Sequence, residues 1–136
     1  MRAPHFEESI VRITYQQTPD FQVVPDTVIE SPSFLSSVYR AIELGVTDYI
    51  RKNGFQGAIV GVSGGIDSGL TLAILADAIG PENVEAVLMP SQYTSPFSIE
   101  DAVTEAENLG VSYSIIPIDE IAQTCLLYTS PSPRDS

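Results

Sequence analysis

Residues 57–70, GAIVGVSGGIDSGL, place two apolar runs either side of a seam that holds two glycines, two hydroxyls and an acid. AIVGVS (58–63) reads as a buried strand, and DSGLTLAILADAIG (67–80) as a helix ended by Gly80 and Pro81. The alternation continues downstream. VEAVLMP (84–90) is a second apolar strand, SIEDAVTEAENLG (98–110) a helix with Gly110 as its cap, and VSYSIIPI (111–118) a third strand. Strands that are apolar throughout, rather than at every second residue, belong to parallel sheets covered on both faces and joined by right-handed crossovers. The expected fold is therefore α/β, a parallel sheet with helices on both faces, incomplete at three strands.

Upstream of the seam, Leu35, Val38, Tyr39, Ile42, Val46, Tyr49 and Ile50 recur at helical spacing, with Arg51 and Lys52 in the last turn and Gly54 just beyond. A long amphipathic helix from 34 to 53 follows. Before it, Arg12 to Tyr15 and Phe21 to Val24 are short β-prone pieces among polar, proline-bearing stretches that read as a linker. IDEIAQT (118–124) opens another helix, but from Cys125 the helical periodicity stops, and Pro131 and Pro133 forbid its return. CLLYTSPSPRD (125–135) resembles one reading frame of a common transposon-based sequencing-library adapter, so residues 125–136 are expected to stand outside the fold.

The balance of 6 Lys+Arg against 18 Asp+Glu gives a net charge of -12, which disfavours a partner held through a phosphate backbone. The chain of 136 residues suits one modest domain, and no apolar run approaches a membrane span or a secretory leader, so a cytoplasmic protein without nucleic-acid or membrane partners is expected. Cys125 is the single cysteine of the sequence, so no internal disulfide and no cysteine-paired metal site is expected.

In an open parallel sheet, ligands sit beyond the carboxyl ends of the strands, where Ser63 to Ser68 falls. Gly64 and Gly65 are expected to take positive φ and admit an anion; Ser63 and Ser68 add hydroxyls, and the helix that follows offers free N–H groups. Ser-Gly-Gly also serves as a plain tight turn, and Asp67 as a first-turn acid favoured by the helix dipole. The whole set after a buried strand points instead to a phosphate cradle. A carboxylate among phosphates requires a cation between them, so Asp67 is the expected Mg²⁺ ligand.

SGGIDS is neither a Walker A loop nor a GxGxxG turn; it resembles the PP-loop of the ATP pyrophosphatases, which cleave ATP between its α and β phosphates to adenylate a substrate. The flanks VYRAIELGVTDYIRKNGF, GPENVEAVLMPSQYTSPFSIEDA and LGVSYSIIPID resemble the start of the synthetase domain in the glutamine-dependent NAD synthetases, and RAPHFEESIVRI resembles the last strand of their nitrilase-like glutaminase domain. That resemblance implies a division into 1–16 (end of the glutaminase domain), 17–32 (linker) and 33–124 (start of the synthetase domain). It also implies a reaction: ATP adenylates deamido-NAD with release of pyrophosphate, and ammonia, free or from glutamine, displaces AMP to give NAD. Gly61, Val62, Ser63, Gly64, Gly65, Ile66, Asp67 and Ser68 would hold the ATP phosphates, with Asp67 on Mg²⁺. Met89 would lie near adenine, although a methionine at a strand end is as readily a packing side chain. Gln92 stands where many family members carry Arg, so no ATP contact is assigned to it. The resemblance further implies a homo-oligomer of the longer enzyme.

From Gly61 to Thr124 there are ten acids and no Lys or Arg. Phosphoryl chemistry relies on cations for the charge that develops on the leaving group, so the 136 residues alone are expected to be inactive. His5, between Pro4 and Phe6, has no catalytic companion nearby in sequence, and the acids from Glu100 to Glu107 read as a solvated helix face. Two alternatives stand beside the main reading. One is another PP-loop ligase such as GMP synthetase or a tRNA-lysidine synthetase, the latter disfavoured by the acidic charge. The other is a noncatalytic ATP-binding module.

Overall fold

A computed structural model of the chain describes residues 3–17, 21–24 and 29–128. Two three-residue strands, β1 (Tyr15–Gln17) and β2 (Phe21–Val23), pair antiparallel, with Tyr15 opposite Val23. β1 begins where the expected Arg12 to Tyr15 piece was to end: among the described residues Arg12 and Ile13 have no strand partner, while the Thr14 carbonyl accepts the N–H of Val24 at 2.9 Å.

The helix α1 spans Phe34–Asn53, as its periodicity predicts. Ser33 caps it by accepting the N–H of Ser36 at 3.2 Å, and Gly54 closes it in the left-handed conformation at φ 69° behind Arg51 and Lys52. Lys52 pairs with Asp48 one turn back.

The strands β3 (Ala58–Gly61), β4 (Val84–Leu88) and β5 (Ser112–Ile115) form a parallel sheet in the order β3-β4-β5. The crossovers are α2 (Ile66–Ile79), followed by a short 3₁₀ turn at Pro81–Asn83, and α3 (Pro96–Leu109). Gly57 permits the chain to enter β3, since a Cβ there would lie 3.2 Å from the Asn83 carbonyl carbon and nearer still to its oxygen.

Val84, Ala86 and Leu88, alternate residues of β4, are buried against Leu72 and Ala76 of α2 and Ala102 and Ala106 of α3. Alanine dominates the helix side of this core, which lets α2 and α3 lie close to the sheet and to each other. α1 packs beside α2, with the Thr47 hydroxyl donating to the Ala78 carbonyl at 2.9 Å. The α/β class and the parallel sheet are as expected. On the face of the sheet away from this core Ile59 is 72% exposed, and Glu85 accepts a hydrogen bond from Ser114 at 2.7 Å.

The last helix, α4, runs Asp119–Tyr128 and so crosses Cys125, where the apolar periodicity stops. Helical backbone propagates through a nucleated turn without an apolar face, and Leu126 and Leu127 are good helix formers. Pro131 and Pro133 lie outside the described residues.

Candidate functional site

β3 ends at Gly61 and α2 starts at Ile66, so the turn between them lies at the carboxyl edge of the sheet. The N–H of Val62 donates to the Val87 carbonyl at 2.9 Å, carrying the pairing one residue past β3 and burying Val62. The chain then reverses at Gly64, whose φ is 77°. A Cβ on Gly64 would lie 2.7 Å from Ser98 Cα, so the turn is packed directly on the first turn of α3.

Gly65 differs from the expectation that both glycines take positive φ. Its φ is -91°, a conformation any residue adopts. It is the N-cap of α2 without a capping side chain, and so the N–H groups of the first helical turn are left without an intrahelical or capping acceptor.

The two hydroxyls also act differently from the reading that made them donors to the anion. Ser68 Oγ donates to the Gly65 carbonyl at 2.9 Å and accepts the Ser63 N–H at 3.2 Å. With that proton committed, the 3.1 Å contact between Ser63 and Ser68 is donated by Ser63, which in turn accepts the Gly65 N–H at 3.3 Å. Both hydroxyl protons stay within the turn and brace it. The donors left facing outward are backbone amides at the positive end of the α2 dipole.

Asp67 is exposed in that first turn, and its carbonyl accepts the Thr71 hydroxyl at 2.8 Å. The described residues contain no group of three or more His, Cys, Asp or Glu arranged for a metal. A lone exposed carboxylate fits Mg²⁺ that arrives with most of its oxygen ligands on phosphate, and does not make a metal cage by itself.

A cavity of about 270 Å³ opens beside the turn. Gly61, Val62 and Ser63 form one wall and Leu88, Met89 and Pro90 another, closed by Thr94, Ser98 and Ile99. Met89 is half exposed, with its Cε 3.4 Å from where a Cβ on Gly61 would be, so the ends of β3 and β4 meet across the cavity. The structure thus brings Gly61, Val62, Ser63 and Met89 together around one hollow; Gly64, Gly65, Ile66, Asp67 and Ser68 are not among its lining residues and carry the chain from Ser63 into α2.

Thr94, Ser98 and Ile99 were not expected. The signal that could have found them is the Ser95-Pro96 pair, a helix start that belongs at the carboxyl edge of a parallel sheet. The Ser91–Thr94 stretch that leads there is closed on itself, the Ser91 N–H donating to Thr94 Oγ1 and the Thr94 N–H to the Ser91 carbonyl, each at 2.9 Å.

A larger hollow of about 840 Å³ lies elsewhere, between residues 4–7, residues 29–32 and α1. It is lined by Arg40 and Arg51 together with Glu7, Glu30 and Glu43, which offset the arginines, and by no helix N-terminus. His5 is half-buried there, its Nε2 enclosed without a hydrogen-bond partner among the described residues. Of the acids from Glu100 to Glu107, Glu105 is not simply solvated: its carboxylate rests against Gly69 of α2, within 2.5 Å of where a Cβ would be.

The family model of the NAD synthases matches residues 38–133. The glutamine-dependent NAD(+) synthetase of Rhodobacter capsulatus is 40% identical over 120 residues, covering 88% of this chain and 22% of the relative. That of Thermotoga maritima is 52% identical over 89 residues, covering 65% of this chain and 16% of the relative. Among solved structures, the glutamine-dependent NAD+ synthetase of Acinetobacter baumannii in complex with ADP superposes with a TM-score of 0.74 at 38% identity, covering 85% of this chain and 23% of that one. The chain therefore spans about a fifth of the length of the curated relatives it matches. An α/β sheet with a glycine-bearing strand-to-helix turn at its carboxyl edge, together with a family match over most of the sequence, places the chain in the NAD synthase family.

Proposed function

We propose that the turn from Gly61 to Ser68 holds the phosphates of ATP, and that the longer enzyme to which these residues belong amidates deamido-NAD to NAD through an adenylated intermediate. The observation that carries this reading is the uncapped start of α2, which follows within three residues of Ser63 on the wall of the hollow and leaves free amides at the positive end of the helix dipole. The ADP held by the Acinetobacter baumannii relative and the family membership support it. The same comparisons favour NAD synthetase over GMP synthetase.

In this reaction the nicotinate carboxylate of deamido-NAD attacks the α-phosphorus of ATP and pyrophosphate leaves. Ammonia, free or released from glutamine, then attacks the acyl carbon and AMP departs. The residues of this chain would bind and orient the triphosphate: the backbone amides from Ile66 to Ser68 would neutralise its charge, the Ser63–Ser68 brace would hold the turn that presents them, and Met89 would lie on the nucleoside side. Asp67 would hold Mg²⁺, which when bound screens the phosphates from this carboxylate and favours departure of pyrophosphate.

Residues 33–124 would form the start of the synthetase domain and residues 1–16 the end of a glutaminase domain. The substrates would be small molecules, the longer enzyme a cytoplasmic homo-oligomer. No described helix is long and apolar enough to cross a membrane.

The full-length protein from the gene that carries these residues should consume deamido-NAD and ATP in equal amounts and release AMP and pyrophosphate. Amidation of XMP instead, or of neither substrate, would overturn the proposal. The noncatalytic module is distinguished by the chain alone: it requires tight, saturable Mg-ATP binding by these 136 residues without any synthetase partner segment.

A further inference from the structure

We propose that Asp119 is a positioning residue for the outer wall of the cavity, acting through the backbone of Gln92; the inference rests on the reading of that cavity as a nucleotide site. The wall is the connection between β4 and α3, which supplies Met89, Pro90 and Thr94 and contains neither strand nor helix. Its attachment to the rest of the fold follows a regular series. The N–H of Ile116 donates to the Leu88 carbonyl at 2.8 Å, and the N–H of Ile118 to the Pro90 carbonyl at 3.0 Å, extending the β4–β5 pairing past both strands.

At Asp119 the backbone turns into α4, so the partner strand offers no further main-chain group. The side chain takes over: Asp119 Oδ1 accepts the Gln92 N–H at 2.7 Å, across 27 residues of sequence. This is a charge-assisted bond of the strong kind, and the carboxylate is itself favoured in the first turn of α4 by the helix dipole.

The Ser91–Thr94 turn is closed by its own hydrogen bonds, so it shifts as a unit when its anchors shift. Asp119 ties that unit down between the Pro90 rung and the start of α3. Loss of the tie releases Met89, Pro90 and Thr94 from the nucleoside side of the cavity. The Ser63–Ser68 turn, held by α2 and the Gly64–Ser98 contact, stays in place. Asp119 touches no reacting atom; it sets where the wall stands.

The test uses the full-length protein that carries these residues and its variants Asp119→Ala, Asp119→Asn and Glu120→Ala, the last removing a neighbouring first-turn acid of α4. Amide hydrogen exchange at Gln92 and Tyr93 is read alongside binding of Mg-ATP and of inorganic tripolyphosphate. Asp119→Ala should speed exchange at Gln92 and weaken ATP binding by about tenfold or more while leaving tripolyphosphate within about twofold. Asp119→Asn, whose amide oxygen still accepts the N–H, should restore both, and Glu120→Ala should resemble the parent chain.

Unchanged exchange at Gln92 in Asp119→Ala would overturn the tie itself. Faster exchange with unchanged ATP affinity, equal loss of ATP and tripolyphosphate, or the same losses in Glu120→Ala would overturn its positioning role. If the full-length parent bound neither ATP nor tripolyphosphate, the nucleotide-site reading would fail and take this inference with it, while the exchange data would still report on the tie.

Discussion

Gly64 lies so close to Ser98 that a Cβ would meet the α3 backbone at 2.7 Å, and its φ of 77° is one that side-chain-bearing residues rarely adopt. These two constraints come from different sources, one local and one tertiary. Gly64→Ala should destabilise the chain by at least about 2 kcal/mol, combining left-handed strain with displacement of the first turn of α3. Gly65→Ala, at φ -91° with only Ser63 Oγ nearby at 3.3 Å, should cost less than about 1 kcal/mol. Urea unfolding of both variants checks the order, and equal costs would mean the turn is not seated as described.

Ser68 sits at the centre of the turn's hydrogen bonds, accepting from Ser63 N–H and donating to Gly65. Ser68→Ala is expected to lose about 1 kcal/mol of stability and about tenfold in Mg-ATP affinity, because the amides no longer converge. Ser68→Thr, which keeps the hydroxyl, should lose less of the affinity. Isothermal titration of the two variants provides the comparison.

Metal removal separates the role of Asp67 from that of the amides. With Mg²⁺ present, Asp67→Asn should weaken ATP binding by about tenfold. In excess EDTA the sign reverses, since the carboxylate then only repels the phosphates: the variant should bind ATP as well as, or better than, the parent chain. A variant equally impaired with and without the metal would remove Asp67 from the metal's ligands.

The Tyr39 hydroxyl donates to Asp77 Oδ2 at 2.6 Å, linking α1 to α2. The hydrogen bond to Asp77, followed by burial and the charge of that carboxylate, pushes the phenol up from 10.0 to about 12. The folded state thus binds this proton more tightly than the unfolded state. Its stabilising contribution is complete below pH 10 and is lost as pH rises towards 12. Tyr39→Phe should cost about 0.5–1.5 kcal/mol at neutral pH and flatten the decline between pH 10 and 12. Unfolding midpoints of both chains across that range would reveal it, and parallel declines would rule it out.

The 34–53 helix, the strand–helix alternation and the glycine turn between β3 and α2 could be read along the chain because each depends on local patterning. Apolar spacing sets α1, continuous apolar runs set β3 and β4, and glycines with an acid mark the start of α2. The residues of the far wall could not be read that way. Beside Thr94 and Ser98 the Ser95-Pro96 pair marks only a helix start; they reach the cavity because α3 begins where β4 has brought the chain back to the carboxyl edge.

The amino-acid order by itself therefore determined the α/β class, the α2 turn and the acid at its mouth, since backbone conformation and burial follow from short-range pattern. Tertiary structure alone decided that Gly64 and not Gly65 bears the steric constraint, that the serine hydroxyls brace rather than donate outward, and that Asp119 reaches Gln92. Those three relationships depend on atoms 27 or more residues apart, or on which acceptor a single hydroxyl proton finds, and such choices are made only when the elements pack.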